Sequence, residues 1–265
     1  MKSQASRTEL IRAAVGIARA AGRVLLSYDQ KELRISYKGA VNIVTEADRR
    51  SEELILHRLE RRFPDHRILS EESGEGIVRS SPYRWIVDPL DGTTNFAHGY
   101  PCFGVSIGLE KEGEVILGVV YDPVRREMFT AEKGRGARLN GRPIRVSRAA
   151  RLTESLLMTG FAYDVRESRQ NNFNHFANFS LKAQGVRRSG SAAMDLCYVA
   201  CGRLDGFWEM KLWPWDTAAG MLIVTEAGGR VTDFNGRPFS IYGKEIAASN
   251  GRIHDEMIKV LRSKT

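Results

Sequence analysis

Apolar residues recur at helical spacing over about 8–27, at Leu10, Ile11, Ala14, Val15, Ile17, Ala18, Ala21, Val24 and Leu25, and predict an amphipathic helix. A loop at 39–42 separates it from a second predicted helix over 46–62, with Thr45 as N-cap and the sequence FPDH as its stop. The period then shortens to two. Strands are predicted at 68–70 and 85–87. The run CFGVSIGLEKEGEVILGVVYDP alternates, turns at Glu112-Gly113 and alternates again, the pattern of a hairpin. EMFTAEKGRGARLNGRPI continues that sheet through glycine-rich turns, and 155–159 is a further strand.

The second half changes texture. A polar helix is predicted over 167–182, a helix of small residues over 191–201, and a strand at GFWEM. A helix over 215–227 is stopped by Gly228-Gly229, which suits a left-handed C-terminal cap. A strand at 246–249 and a helix at 252–262 close the chain. Strands in runs, interleaved with helices, predict layered α and β structure rather than a regular βαβ series. The 265 residues suit a single unit of two packed halves, roughly 1–150 and 151–265.

Composition narrows the class. No apolar run is long enough for a membrane span, and the polar start lacks the apolar block of a secretory signal. Three cysteines argue against a disulfide framework and for a reduced, cytoplasmic protein. The net charge of +8 is carried by scattered arginines, with pairs at 49–50, 61–62, 125–126 and 187–188 and no longer block. That pattern fits a solvated basic surface, with a docking face for RNA or a nucleoprotein as the alternative.

Candidate chemistry centres on WIVDPLDGTTNF. Trp85-Ile86-Val87 predicts a buried strand with Asp88 at its carboxyl end, where ligand sites gather in open α/β sheets. Pro89 is expected to end the ladder and Asp91 to return near Asp88. Two ionised carboxylates so close repel unless a cation lies between them, and Mg²⁺ prefers such oxygen ligands. Gly92-Thr93-Thr94 opens a helix whose free N–H groups suit an anion. Metal-binding oxygens beside phosphate donors point to phosphate-ester hydrolysis, a reaction metal ions serve by activating water and neutralising the leaving oxygen. Glu71 and Glu72 follow an apolar strand, Asp216 stands near a helix start, and Asp48 lies in the first turns of another. Each alone is explained by exposure or by the helix dipole; as a set they lie at the edges of apolar elements, where a site forms.

DPLDGTTNF and WDTAAGMLIVTEAGG, with SEES upstream and GSAAMDL between them, resemble the inositol monophosphatase family of Mg²⁺-dependent, lithium-sensitive sugar-phosphate phosphatases, most closely its bacterial SuhB-type branch. The likeness covers nearly the whole chain. It implies a layered αβαβα sandwich of the α+β or α/β class, commonly a homodimer, with two or three Mg²⁺ ions. The implied reaction converts a phosphorylated polyol, first of all myo-inositol 1-phosphate, to myo-inositol and phosphate. By the resemblance, Glu71, Asp88 and the carbonyl of Leu90 hold one ion, Asp88, Asp91 and Asp216 a second, and Glu71 helps a third through water. Thr93 with Asp48 orients or deprotonates the attacking water, and the amides of Gly92 and Thr93 cradle the phosphate. Asp91 and Glu209 face the substrate, Glu209 toward sugar hydroxyls, while Gly190, Ser191 and Ala192 line the opposite side. Lys38 sits on a loop over the metals. Relatives acting on fructose bisphosphate share much of this core and remain the nearest alternative. Adenosine bisphosphate relatives tend to carry charged residues after the threonine. A partner in RNA metabolism or transcription, motivated by the net charge and by the branch, is the alternative of another class.

Other signals are weaker. Cys197 to Arg203 has the C-x5-R spacing of cysteine phosphatases, but it continues an apolar helical run, so packed thiols are expected. The twelfth position from Asp88 is Gly99, which excludes an EF-hand. GRGARLNG reads as a turn, and the five histidines form no ligand spacing.

Overall fold

Helix α1, Arg7–Tyr28, buries Leu10, Ala14, Ile17, Ala21 and Leu25, the apolar stripe of the sequence pattern. The computed structural model describes residues 5–28, 35–37, 43–76 and 80–263; Lys38 and the loop expected at 39–42 lie outside the described residues. A short ribbon of β1 (Ile35–Tyr37) and β2 (Ile43–Thr45) leads into α2, Glu46–Arg62. The predicted cap is present: the Thr45 side chain accepts from the amides of Ala47 and Asp48, and Asp48 accepts from the Thr45 amide.

A large sheet follows, built from β3 (Arg67–Ser70), β4 (Gly74–Glu75), β5 (Tyr83–Asp91), β6 (Gly104–Lys111), β7 (Glu114–Asp122), β8 (Glu127–Glu132), β9 (Ala137–Leu139) and β10 (Arg142–Pro143). Its order is β10-β9-β8-β7-β6-β5-β3-β4, antiparallel except where β3 runs parallel to β5. Glu112 and Gly113, both at positive φ, make the β6–β7 turn where alternation predicted it. The five-residue helix α3, Thr93–Ala97, lies between β5 and β6.

The second sheet contains β11 (Leu156–Thr159), β12 (Gly185–Arg187), β13 (Gly206–Met210), β14 (Arg230–Thr232) and β15 (Glu245–Ser249), in the order β12-β11-β13-β15-β14. Around it run α4 (Phe173–Ser180), α5 (Ala192–Ala200), α6 (Pro214–Glu226) and α7 (His254–Arg262). Helices α1 and α2 cover one face of the large sheet, α5 and α6 lie between the sheets, and α4 and α7 cover the far face of the small one. This is the αβαβα sandwich. No helix among the described residues is long and apolar enough to cross a membrane.

Glycine sets the spacing of the central layer. Gly108 and Gly118 are cross-strand partners under α6. A Cβ on Gly118 would stand 2.7 Å from the carbonyl oxygen of Ala219, so the helix backbone can lie this close only on bare strand. On the opposite flank a Cβ on Gly220 would meet Leu196 of α5. Helix α6 is therefore held between sheet and neighbour, which fixes Asp216 in its first turn relative to β5.

Three expectations need correction. Strand β5 does not end at Val87: pairing with β6 continues to Asp91, and a bulge between Asp88 and Asp91 absorbs Pro89. The polar helix of 167–182 is only α4, Phe173–Ser180. Buried Asn172 stands before it in the left-handed conformation, its amide donating to Thr159 Oγ1 and the Gly160 carbonyl and its Oδ1 accepting from Trp208 Nε1. That fixed residue keeps the helix from extending backward. The closing helix likewise begins at His254 rather than 252. Cys197 is fully buried, Cys201 partly so, and neither is in a disulfide. Burial pushes both thiols up, away from the reactive thiolate.

Candidate active site

The bulge in β5 turns Asp88 and Asp91 toward α6. Carboxylate oxygens of Asp88, Asp91 and Asp216 all lie within 4.8 Å of one another. Asp88 and Asp91 are buried and Asp216 partly so. Among the described residues no lysine or arginine forms an ion pair with any of the three. Burial holds Asp88 well above the ordinary carboxylate range, reinforced by the charges of Glu71, Asp91 and Asp216. Burial likewise raises Asp216, with Asp91 and Glu71 adding to it. Asp91 is raised to about 6 by burial, against hydrogen bonds that favour its charged form.

Each acid is fixed by the backbone around it. Asp88 Oδ1 accepts the Leu90 amide at 3.0 Å. Asp91 Oδ2 accepts Ser191 Oγ at 2.6 Å and the Ala193 amide at 2.7 Å, so the start of α5 holds this carboxylate. Asp216 Oδ2 accepts the Trp213 amide at 2.7 Å. Gly92, at φ 94°, begins α3; a Cβ there would stand 2.9 Å from the Cys102 carbonyl oxygen. The first amides of that helix, beside the acids, have no acceptors within it.

One face of α2 clamps both acid-bearing segments. Asp48, Ser51 and Glu52 are neighbours at helical spacing. Asp48 Oδ1 lies 2.9 Å from Thr93 Oγ1, which also stands 3.0 Å from the Leu90 carbonyl. Burial raises Asp48, opposed by hydrogen bonds from Thr45 and Thr93. Ser51 donates to the Pro89 carbonyl at 2.8 Å. Buried Glu52 accepts from Ser70, from the Ser73 hydroxyl and from the amides of Glu72 and Ser73, and so anchors the turn that carries Glu71.

The structure thus brings Asp88, Asp91 and Asp216 together, sets Glu71 close enough to raise two of them, and joins Asp48 to Thr93. Ser191 and Ala192 meet Asp91 rather than open space. Gly190, at φ 91°, lies against Asn95, which donates to the carbonyls of Cys102 and Ser189. Glu209 is buried on β13 and raised first by burial, then by Asp195 and Asp91, while Arg188 opposes the rise.

Several further residues shape the site. A Cβ on Gly160 would stand 2.2 Å from Glu209 Oε1, so glycine makes the space for that carboxylate. Buried Asp195 accepts Ser189 Oγ at 2.6 Å and helps order the approach to α5. The Tyr163 hydroxyl meets the Thr94 side chain, and burial with the charges of Glu71, Asp216 and Asp91 pushes its phenol up. Trp213, half exposed beside Asp216, stacks on Trp215 with 5.4 Å between centroids, and Lys244 Nζ lies 4.0 Å from the Trp213 ring centre. A glutamate at helical spacing from Asp48 was the available signal for Glu52; the others depend on approaches between distant segments.

Residues 6–265 match the family described as the inositol monophosphatase family. The chain is 51% identical over 243 residues to an inositol-1-monophosphatase of Synechocystis sp., covering 91% of this chain and 85% of that protein. It is 42% identical over 251 residues to the Nus factor SuhB of Salmonella typhimurium, covering 94% of each. The solved inositol monophosphatase of Anabaena (Nostoc) sp. superposes with a TM-score of 0.88 at 47% identity, covering 95% of this chain and 94% of that one.

Proposed function

The chain belongs to the inositol monophosphatase family, a phosphatase family, and from that premise we propose that it hydrolyses a phosphate monoester, myo-inositol 1-phosphate foremost, with Mg²⁺. The observation that carries the reading is the cluster of Asp88, Asp91 and Asp216, drawn together from two distant segments with no ion pair to a lysine or arginine among the described residues.

The donor set fits a hard divalent ion: carboxylate oxygens, the nearby acid of Glu71 and the Leu90 carbonyl, with no thiolate or imidazole among the three clustered ligands. Glu71, Asp88, Leu90, Asp91 and Asp216 are the proposed ligands, for two or three ions. Bound there, Mg²⁺ supplies activation of water and neutralisation of the leaving oxygen. The chain's own residues do the rest. Thr93 Oγ1 has its hydrogen committed to Asp48 or to the Leu90 carbonyl, which leaves oxygen lone pairs to accept a hydrogen bond from the attacking water. Asp48, raised by burial, is poised to take up a proton through that hydroxyl. The Gly92 and Thr93 amides receive phosphate oxygens at the start of α3. Glu209 accepts hydrogen bonds from polyol hydroxyls, and Gly190, Ser191 and Ala192, beside Asp91, border the substrate.

The test compares phosphate release from myo-inositol 1-phosphate, fructose 1,6-bisphosphate and adenosine 3′,5′-bisphosphate side by side with Mg²⁺. The reading expects the inositol ester to be preferred; a tenfold preference for fructose bisphosphate overturns the substrate assignment. The reading includes a cytoplasmic, lithium-sensitive homodimer, supported by family membership and checked by sedimentation and lithium inhibition.

The likeness to a Nus factor supports a second reading, a role in the transcription machinery. It predicts salt-dependent association with RNA or RNA polymerase that survives Asp88→Asn. No association at low salt removes it.

A further inference from the structure

On the outer face of the large sheet, away from the acids, α1 and α2 leave a cavity of about 460 Å³ lined by Arg12, Ala13, Gly16, Ile17, Arg58, Arg61 and Arg62. Ala13 and Ile17 are buried and form an apolar floor, while the four arginines are exposed at the rim. Arg58, Arg61 and Arg62 share one side of α2 by their spacing, and Arg12 joins them from α1. Among the described residues one of these charges has a carboxylate partner: Arg62 meets Glu9 at 3.4 Å, with both side chains about half exposed. Arg12, Arg58 and Arg61 have no ion pair among the described residues.

The dipole at the end of α2 favours one or two of these cations. It does not explain Arg12, which belongs to the other helix, nor the open space between them. Gly16 borders that space: a Cβ at this position would meet nothing within 4 Å, so no packing requires a glycine that costs helix stability. Guanidinium groups bind phosphate through paired N–H donors. Three uncompensated positive charges exceed what one monophosphate neutralises, and the cavity is within the size range of small-molecule sites.

We infer that this cavity is a binding site for a small polyanion with two or more linked phosphates, separate from the cluster of Asp88, Asp91 and Asp216. The converging rim favours a compact ligand over an extended nucleic-acid backbone. The same helix carries Asp48, Ser51 and Glu52 at its other end, so the ligand binds the element that clamps the acidic segments.

Calorimetric titration of the full chain with tripolyphosphate in EDTA tests this apart from any catalysis. The intact protein is expected to bind at a single site. Arg58→Gln/Arg61→Gln is expected to bind at least about tenfold more weakly, because two charge-assisted contacts are removed. Gly16→Leu keeps every charge but fills the cavity, and is expected to weaken binding similarly while phosphate release and circular dichroism stay unchanged in both variants. No binding by the intact protein overturns the inference, as does unchanged affinity in the arginine variant. Undiminished binding by Gly16→Leu assigns the effect to surface charge alone and also overturns it. Arginine-dependent binding of single-stranded RNA without tripolyphosphate binding overturns it in favour of a nucleic-acid face.

Discussion

Two groups of buried acids in this fold are treated in opposite ways. Glu110, 5% exposed on β6, accepts the Tyr242 hydroxyl at 2.9 Å on both oxygens and lies 3.8 Å from Arg84. Arg84 in turn reaches Glu75, which pairs with Arg67 at 2.8 Å. Asp122, fully buried, is met by the Arg125 guanidinium at 3.0 Å and by the Arg125 amide. These acids find their counter-charges within the chain. Asp88, Asp91 and Asp216 receive hydrogen bonds that fix their positions and form no ion pair with a lysine or arginine among the described residues; burial raises all three, and neighbouring acids add to the rise of Asp88 and Asp216. The first arrangement joins strands and loops. The second maintains repulsion that only an added positive charge or protons relieve, the mark of a site kept for a ligand.

The contrast is most sharply probed by neutralising one acid of each kind. Asp88→Asn is expected to lower phosphate release on the order of 10⁴-fold by removing a shared metal ligand, yet to stabilise the metal-free fold at neutral pH because repulsion is relieved. Steady-state kinetics and thermal melts in EDTA check the two halves; a metal-free variant less stable than the parent breaks the comparison. Thr93→Val keeps the shape and deletes the hydroxyl beside Asp48, so kcat is expected to fall about 10²-fold or more with little change in KM, while Thr93→Ser restores most of it. Gly160→Ala forces the Glu209 carboxylate aside, because the added carbon would stand 2.2 Å from Oε1. KM for a polyol phosphate is expected to rise about tenfold, the worth of one charged hydrogen bond. Glu110→Gln retains acceptance from Tyr242 but loses the charge facing Arg84. Activity is expected to stay near that of the parent, while denaturant unfolding reports a loss of about 1–2 kcal/mol.

The unequal legibility of the sequence follows the same division between local and distant causes. Helix α2 was readable to its ends because its cap, Thr45 with Asp48, lies within four residues. The acids of the site were readable because each stands where an apolar run stops. The continuation of β5 through Pro89 was not, because the bulge exists only in register with β6. Nor was the late start of α4, which Asn172 sets through bonds to Thr159 and to Trp208 on another strand. Strands β12 and β14, at three residues each, are too short to show alternation and form the edges of the second sheet. The need for glycine at 160 is visible only once Glu209 lies against it.

That Asp88, Asp91 and Asp216, without an ion pair among the described residues, are held for an added cation is settled by the melting temperature against pH, measured with EDTA and with Mg²⁺. The folded-state pKa values are raised, so the protonated carboxyls stabilise the metal-free fold fully below their unfolded value of 3.8, and that contribution is lost as pH rises through about 6 for Asp91. For Asp88 and Asp216, also raised by burial and by the charges of Glu71 and Asp91, the loss continues as pH rises through their own elevated values. The difference between the Mg²⁺ and EDTA curves is therefore predicted to be near zero at pH 4 and to widen steadily toward pH 8, and to collapse in Asp88→Asn. Curves that coincide across the whole range, or a gap unchanged by Asp88→Asn, contradict the account.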